Sequence, residues 1–322
     1  MDTSPNSTGT QNTVMETLAR ELLTEQRRSR RWKVALNIGW LLFCFLLLFA
    51  VLGWSGGKRD VGSLDKHTSL VELKGVIAAD SKASADRIIG ALQQAFKDKN
   101  TQGVVLRINS PGGSPVQAGY INDEIKRLRA KHKDIPFYLV VQDVCASGGY
   151  YVAAAADKIY VDKASIVGSI GVLMDGFGFS GVMEKVGIER RLITAGDNKG
   201  FLDPFSPANP EQQKLANQMV AEIHQQFIKV VREGRGKRLK ETPELFSGLV
   251  WSGEKSIELG LADGLGGLEY VAREIIKAEQ VVDYTPDDSF SEQLARRLGA
   301  SAAETIWSKL LTTTPAGGAV LR

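Results

Sequence analysis

Three short segments combine hydroxyl side chains with glycines in a way that could support attack on a carbonyl. The first, Asp143-Val144-Cys145-Ala146-Ser147-Gly148-Gly149-Tyr150-Tyr151, follows the strand-like run Phe137–Gln142 and opens a small-residue helix at Tyr150–Ala156. A serine on such a turn stands at the carboxyl edge of a sheet, where α/β proteins bind ligands. The Gly148 N–H would sit beside its hydroxyl, and a helix N-terminus favours an anion. An isolated Ser-Gly-Gly reads first as a helix N-cap. The second segment, Arg107-Ile108-Asn109-Ser110-Pro111-Gly112-Gly113, ends another strand. Pro111 fixes φ and removes a donor, while the glycines leave backbone N–H groups approachable, so the turn could aim an amide at an oxyanion. Pro-Gly-Gly turns are also common without chemistry. The third, Ser165-Ile166-Val167-Gly168-Ser169-Ile170-Gly171-Val172, offers one more hydroxyl, on Ser169, in a glycine-rich loop.

A serine nucleophile needs a base. The three histidines are poorly placed: His67 near a linker, His132 in a charged helix end, His224 inside the polar stretch of a long helix. They also make a histidine-based metal site a poor reading. The Gly-x-Ser-x-Gly elbow is broken, because Cys145 stands where its first glycine would be. A lysine base remains, neutral only if burial lowers its pKa from about 10.4; composition selects no particular lysine.

The elements that must carry these turns alternate. Ser69–Ile77, Gly103–Ile108, Phe137–Gln142 and Lys158–Val161 read as strands, and Ala83–Phe96 and Gln117–Lys131 as helices. Such alternation predicts an α/β fold of βαβ units around a mainly parallel sheet. Arg191–Thr194 reads as a further strand. From Pro210, Leu215, Met219, Ile223 and Phe227 recur every four residues to about Gly234, a long amphipathic helix for its own domain or a neighbouring subunit. Shorter helices are expected at Glu254–Leu259 and Leu268–Ala278.

The composition, 43% hydrophobic and 24% charged over 322 residues, excludes a disordered chain and a polytopic membrane protein. A net charge of +3 implies no nucleic-acid partner. Cys44 and Cys145 make no disulfide scaffold. One stretch departs from the average. Val34–Leu52 is uncharged, with Asn37 as its one amide, and about 20 apolar residues span a bilayer as a helix. Trp32, Trp40 and Trp54 suit the interfacial belt. Arg27, Arg28, Arg30, Arg31 and Lys33 precede the span, which predicts a cytoplasmic N-terminus and an external main domain. The expected organisation is a cytoplasmic segment 1–33, in which Val14–Arg31 has helical spacing, a transmembrane helix 34–54, a linker 55–68, a domain 69–311 and a flexible tail 312–322.

The order of these motifs resembles the short-form signal peptide peptidase A proteins of the S49 serine peptidase family. The resemblance covers roughly residues 69–275 and rests on N-S-P-G-G, A-S-G-G-Y-Y, V-G-S-I-G-V and the later W-S-G-x-x-S-x-x-L-G-L-A-D at Trp251–Asp263. It implies a ClpP/crotonase-like fold and a Ser-Lys dyad without cofactor or metal. The nucleophile maps onto Ser147 and the base onto Lys199, where Asn198 replaces the aromatic residue common in the family. The serine that hydrogen-bonds the lysine maps onto Ser169, and the oxyanion donors onto Gly113 and Gly148. The implied substrates are remnant signal peptides and other short apolar or unfolded peptides. The implied setting is a bacterial cytoplasmic membrane with the catalytic domain periplasmic. Family members form rings, so a homo-oligomer is expected, with Ser147 and Lys199 from one subunit or from two. Three other readings compete. A Clp-type peptidase would need a histidine near Val172, an acyl-CoA enzyme of crotonase type would be cytoplasmic, and an inactive membrane scaffold would not need Ser147, Ser169 and Lys199 together.

Overall fold

Alternation at every second residue sets the sheet. In β1 (His67–Lys74), β2 (Thr101–Ser110) and β3 (Phe137–Ala146), Val71, Leu73, Val104, Leu106, Ile108, Leu139 and Val141 join one buried cluster. Leu70, Val105 and Val140, between them in sequence, join a second cluster. Strands apolar on both sides belong to a parallel sheet covered on both faces. The computed structural model describes Lys33, residues 36–46 and residues 65–286. The remaining strands are β4 (Lys158–Val161), β5 (Ile166–Gly168), β6 (Val250–Ser252), β7 (Gly264–Leu265) and β8 (Val281–Asp283). The order is β6-β5-β3-β2-β1-β8, with β4 joining β3 to β7. Every pair is parallel except β5 with β6.

The first cluster is closed by two helices. In α1 (Ala85–Lys97), Ile88, Leu92 and Phe96 fall at helical spacing and are buried. In α2 (Pro115–Lys131), the chain starts on a proline after Ser114, whose hydroxyl accepts the Gln117 N–H. Proline suits that position because its missing N–H would be unpaired there anyway. Ile121, Ile125 and Leu128 of α2 then pack beside α1. Five further α-helices follow among the described residues: α3 (Gly148–Ala153), α4 (Ser180–Lys185), α5 (Pro210–Arg235), α6 (Gly253–Glu258) and α7 (Leu268–Tyr270). A π-helical turn over Val271–Ile276 continues α7, and Leu268 and Val271 cover the second face.

Three expectations change, and that for α5 is sharpened. Arg191–Thr194 forms no strand; it is irregular and exposed, because no apolar layer lies against it. The helix expected over Leu268–Ala278 ends at Ile276, where Lys277 turns to φ +64°. In α5 the apolar stripe is buried only in its second half, at Phe227, Ile228 and Val231, while Leu215 and Met219 stay exposed. The segment expected to be linker gives way to β1 by His67.

Residues 60–287 make one compact unit. Residues 36–46, which fall in the other unit, are helical with exposed side chains. The rest of the span expected over 34–54, with segment 1–32, residues 55–64 and the tail 312–322, lies outside the described residues. Among the described residues no helix is long and apolar enough to cross a membrane.

Candidate active site

Ser147 stands between the last residue of β3 and the first of α3. Its backbone is at φ +53°, ψ −124°, a conformation that costs a non-glycine residue about 1–3 kcal/mol. Neighbours hold it there. Its N–H donates to Gly168 O at 2.9 Å and its carbonyl accepts the Tyr151 N–H at 3.0 Å. This strand, strained serine and helix form the backbone of a nucleophile elbow even though Cys145 breaks the sequence pattern. Cys145 is buried, and burial pushes its thiol up, out of the nucleophile range. Gly149 keeps its glycine for a packing reason, since a β-carbon there would stand 3.1 Å from Ser110 O.

The Asn109–Gly113 turn runs alongside. Gly112 is at φ +103° and Gly113 at φ +144°, both closed to most side chains. Ser110 Oγ donates to Gly75 O at 2.7 Å and accepts the Gly112 N–H at 3.1 Å. The Ile77 N–H donates to Gly112 O and the Ser114 N–H to Ile77 O, each at 2.8 Å. These two bonds make a parallel bridge between Ile77 and Gly113. In such a bridge the N–H of Gly113 itself points away from Ile77. It lies towards Gly148, where a β-carbon would be 3.3 Å from Gly113 N. Among the described residues neither the Gly113 nor the Gly148 N–H has a hydrogen-bond acceptor. Two free amides beside a serine hydroxyl are the donor pair that a tetrahedral oxyanion needs.

Ser169 lies next to this turn. Ala146 pairs with Gly168 in the β3–β5 register, so Ser147 and Ser169 follow directly on neighbouring strand ends. Ser169 is at φ +50° and its N–H donates to Leu249 O at 2.7 Å. Ser147, Ser169, Gly113 and Gly148 are thus brought together. Lys199 is not. It occupies an exposed turn in which its N–H donates to Gly196 O at 3.1 Å. Among the described residues no hydrogen bond or ion pair joins it to Ser147 or Ser169. The segment that carries it exposes Leu173 (80%), Phe177 (78%) and Ile193 (95%). No histidine takes the base's place: His224 donates to Ile170 O at 3.1 Å, His67 is bonded to Tyr284 and His132 packs on Phe96.

Residues 129–282 match the family model described as peptidase family S49. The "Putative signal peptide peptidase SppA" of Enterococcus faecium is 30% identical over 234 residues, covering 70% of this chain and 67% of that protein. The chain belongs to peptidase family S49. The Na(+)/H(+) antiporter NhaA of Brucella melitensis biotype 1 is 48% identical over 215 residues, 65% of this chain but 29% of that protein. The S49 chain therefore spans less than a third of that relative's length. Among solved structures, a mutant of a membrane-bound stomatin-specific protease aligns with 70% of this chain and 96% of its own at 16% identity and TM-score 0.40.

In this S49 chain the segment Trp251–Asp263 is bonded towards the helix that follows Ser147. Asp263 accepts the Ile159 N–H at 2.7 Å, Arg235 Nη1 at 2.9 Å and Arg238 Nη1 at 3.1 Å. Burial raises its pKa, and Arg235, the Ile159 N–H and the charge of Arg238 together more than offset that, leaving the carboxyl below its ordinary range. Arg235 is fully buried and also donates to Gly260 O at 2.8 Å, and the next carbonyl, Leu261 O, accepts Tyr150 OH at 2.7 Å. Through Tyr150 the motif reaches α3, the helix that Ser147 opens. Ile77 and Leu249 carry no signal of this role in the sequence, whereas Ser110 has one, its place inside N-S-P-G-G.

Proposed function

We propose that the chain is a membrane-anchored serine endopeptidase of ClpP/crotonase-like fold, with Ser147 as nucleophile and Lys199 as general base. The observation that carries this reading is the strained Ser147 between two amides without acceptors. In the proposed cycle, Lys199 takes the Ser147 proton as Oγ attacks a peptide carbonyl, and the Gly113 and Gly148 amides hold the oxyanion. Lys199 then protonates the leaving amine, and water hydrolyses the acyl-enzyme. A lysine serves as base only once it is desolvated, so the exposed Lys199 segment must be covered. A neighbouring copy is the proposed cover, with Ser169 accepting a hydrogen bond to fix the ammonium. Peptides with apolar, extended segments, such as remnant signal peptides, are the proposed substrates. The span 34–54 would hold the enzyme where such peptides collect, with the domain periplasmic.

Cleavage of an unfolded protein and of a signal peptide by purified protein tests the reading. Ser147→Ala and Lys199→Ala should each abolish cleavage while the oligomer persists. Full activity in either variant sinks it.

A further inference from the structure

Asn109, inside the N-S-P-G-G motif, has no part in the proposed chemistry, yet it sits where β2 and β3 lose step. Ile108 pairs with Val141, and Ser110, two residues on, pairs with Cys145, four residues on. Asn109 therefore faces three residues of β3: Gln142, Asp143 and Val144. Such a bulge leaves ladder groups unpaired and bends the strand. The Asn109 side chain takes up one of these ladder groups and ties down a side chain of the bulge. Its Oδ1 accepts the Val144 N–H at 3.2 Å, and its Nδ2 donates to Asp143 Oδ2 at 2.6 Å. A carboxylate only accepts and an amide N–H only donates, so this is the one orientation of the asparagine amide that satisfies both. Its backbone carbonyl meanwhile accepts the Gly75 N–H at 2.9 Å.

The slip decides where the serine stands. In the register before the bulge, Ser147 would fall opposite Ser114, beyond the glycine turn and already capping α2. In the register after it, Ser147 falls opposite Gly112. The contacts agree, since a β-carbon on Gly112 would be 2.7 Å from the β-carbon of Ser147. The Gly148 amide follows Ser147 in either register, but only the second brings the serine beside the Gly113 amide.

We propose that Asn109 is a positioning residue, whose side chain, bonded to Val144 and Asp143, holds the β3 bulge that sets Ser147 and Gly148 against the Gly113 amide. The inference rests on the reading of Ser147 as nucleophile. An asparagine is required because one planar group must offer an acceptor and a donor in fixed geometry. Asparagine's near-isostere aspartate keeps the acceptor for Val144 but sets a second carboxylate against Asp143.

The test is a side-chain exchange. In the full-length protein, Asn109→Asp should lower kcat about 100-fold with KM within about 2-fold, the loss expected for a displaced reacting group. It should slow labelling by a fluorophosphonate, which reports the serine without substrate binding, by a similar factor. Asp143→Asn alone should cost little, because its amide oxygen still accepts from Asn109. The double variant Asn109→Asp with Asp143→Asn restores a donor opposite an acceptor and should recover kcat and labelling to within about 5-fold of wild type. Asn109→Ala combined with Asp143→Asn should not recover. A double exchange no more active than Asn109→Asp alone, or an Asn109→Asp loss confined to KM, overturns the proposal. Ser147→Ala is run in parallel: residual cleavage or labelling there defeats the nucleophile reading instead, so the two failures are distinguishable.

Discussion

Gly112 and Ser147 touch through the space where a side chain would be. A β-carbon on Gly112 would stand 2.7 Å from the Ser147 β-carbon and 2.7 Å from the Gly148 nitrogen. Gly112→Ala would therefore push the serine and one oxyanion donor apart, at a φ of +103° that alanine already resists. We expect kcat to fall at least about 100-fold, the scale of losing one oxyanion donor. Fluorophosphonate labelling and peptide cleavage should fall together. Labelling at the wild-type rate would show that the contact has no bearing on the nucleophile.

Much of this architecture is legible in the sequence, and the part that is not has a physical reason. β4 occurs at Lys158–Val161 as the pattern predicts, and α1, α2 and α5 begin and end within a few residues of their periodic stripes. Those signals are local: alternation, helical spacing and Pro210 at a helix start, while Pro115, two residues before the expected start at Gln117, emerges only from the structure. The turn around Ser147 was also visible, through its glycines. The bulge was not, because register depends on pairing between β2 and β3, and nothing in Gln142-Asp143-Val144 announces an unpaired run. Arg191–Thr194 misled for the opposite reason. Its residues suit a strand, but propensity without a neighbouring strand to pair with does not make one.

The strain at Ser147 reverses an ordinary ranking. Glycine normally destabilises a folded chain relative to alanine by roughly 0.5–1 kcal/mol through backbone entropy. At φ +53° an alanine keeps the strain of about 1–3 kcal/mol that glycine relieves. Ser147→Gly should therefore be more stable than Ser147→Ala by about 1 kcal/mol, with both inactive. Urea denaturation of the two variants decides it, and an alanine variant more stable than the glycine one would mean that the serine carries no strain.

If Lys199 acts across a subunit boundary, two dead variants should revive each other. Ser147→Ala supplies an intact lysine and Lys199→Ala an intact serine. Mixed, dissociated and reassembled, they should recover roughly a quarter of wild-type activity, the share of boundaries that pair the two intact residues by chance. The exposed Leu173, Phe177 and Ile193, in the same segment of the chain as the lysine, supply apolar surface for such a boundary. A mixture that reassembles yet stays inactive would place serine and lysine of one site in the same chain.

Asp263 links the far motif to acid stability. Its folded carboxyl lies below the ordinary value of 3.8, so the folded state prefers the charged form. The stabilisation it supplies is fully present above the unfolded value and is lost as pH falls through the folded one. Asp263→Asn removes it at every pH and leaves the fully buried Arg235 without its carboxylate. Breaking such a pair costs about 3 kcal/mol. At neutral pH the variant should melt well below wild type. The gap between the two should narrow only once the pH drops beneath 3.8, as Asp263 of the wild type takes up its proton. Because Arg235 also holds Gly260 beside the Leu261 carbonyl that binds Tyr150, the variant should lose activity at temperatures where it is still folded. A gap that stays constant from neutral to strongly acidic pH would show that Asp263 stabilises the fold by its shape and hydrogen bonds and not by its charge.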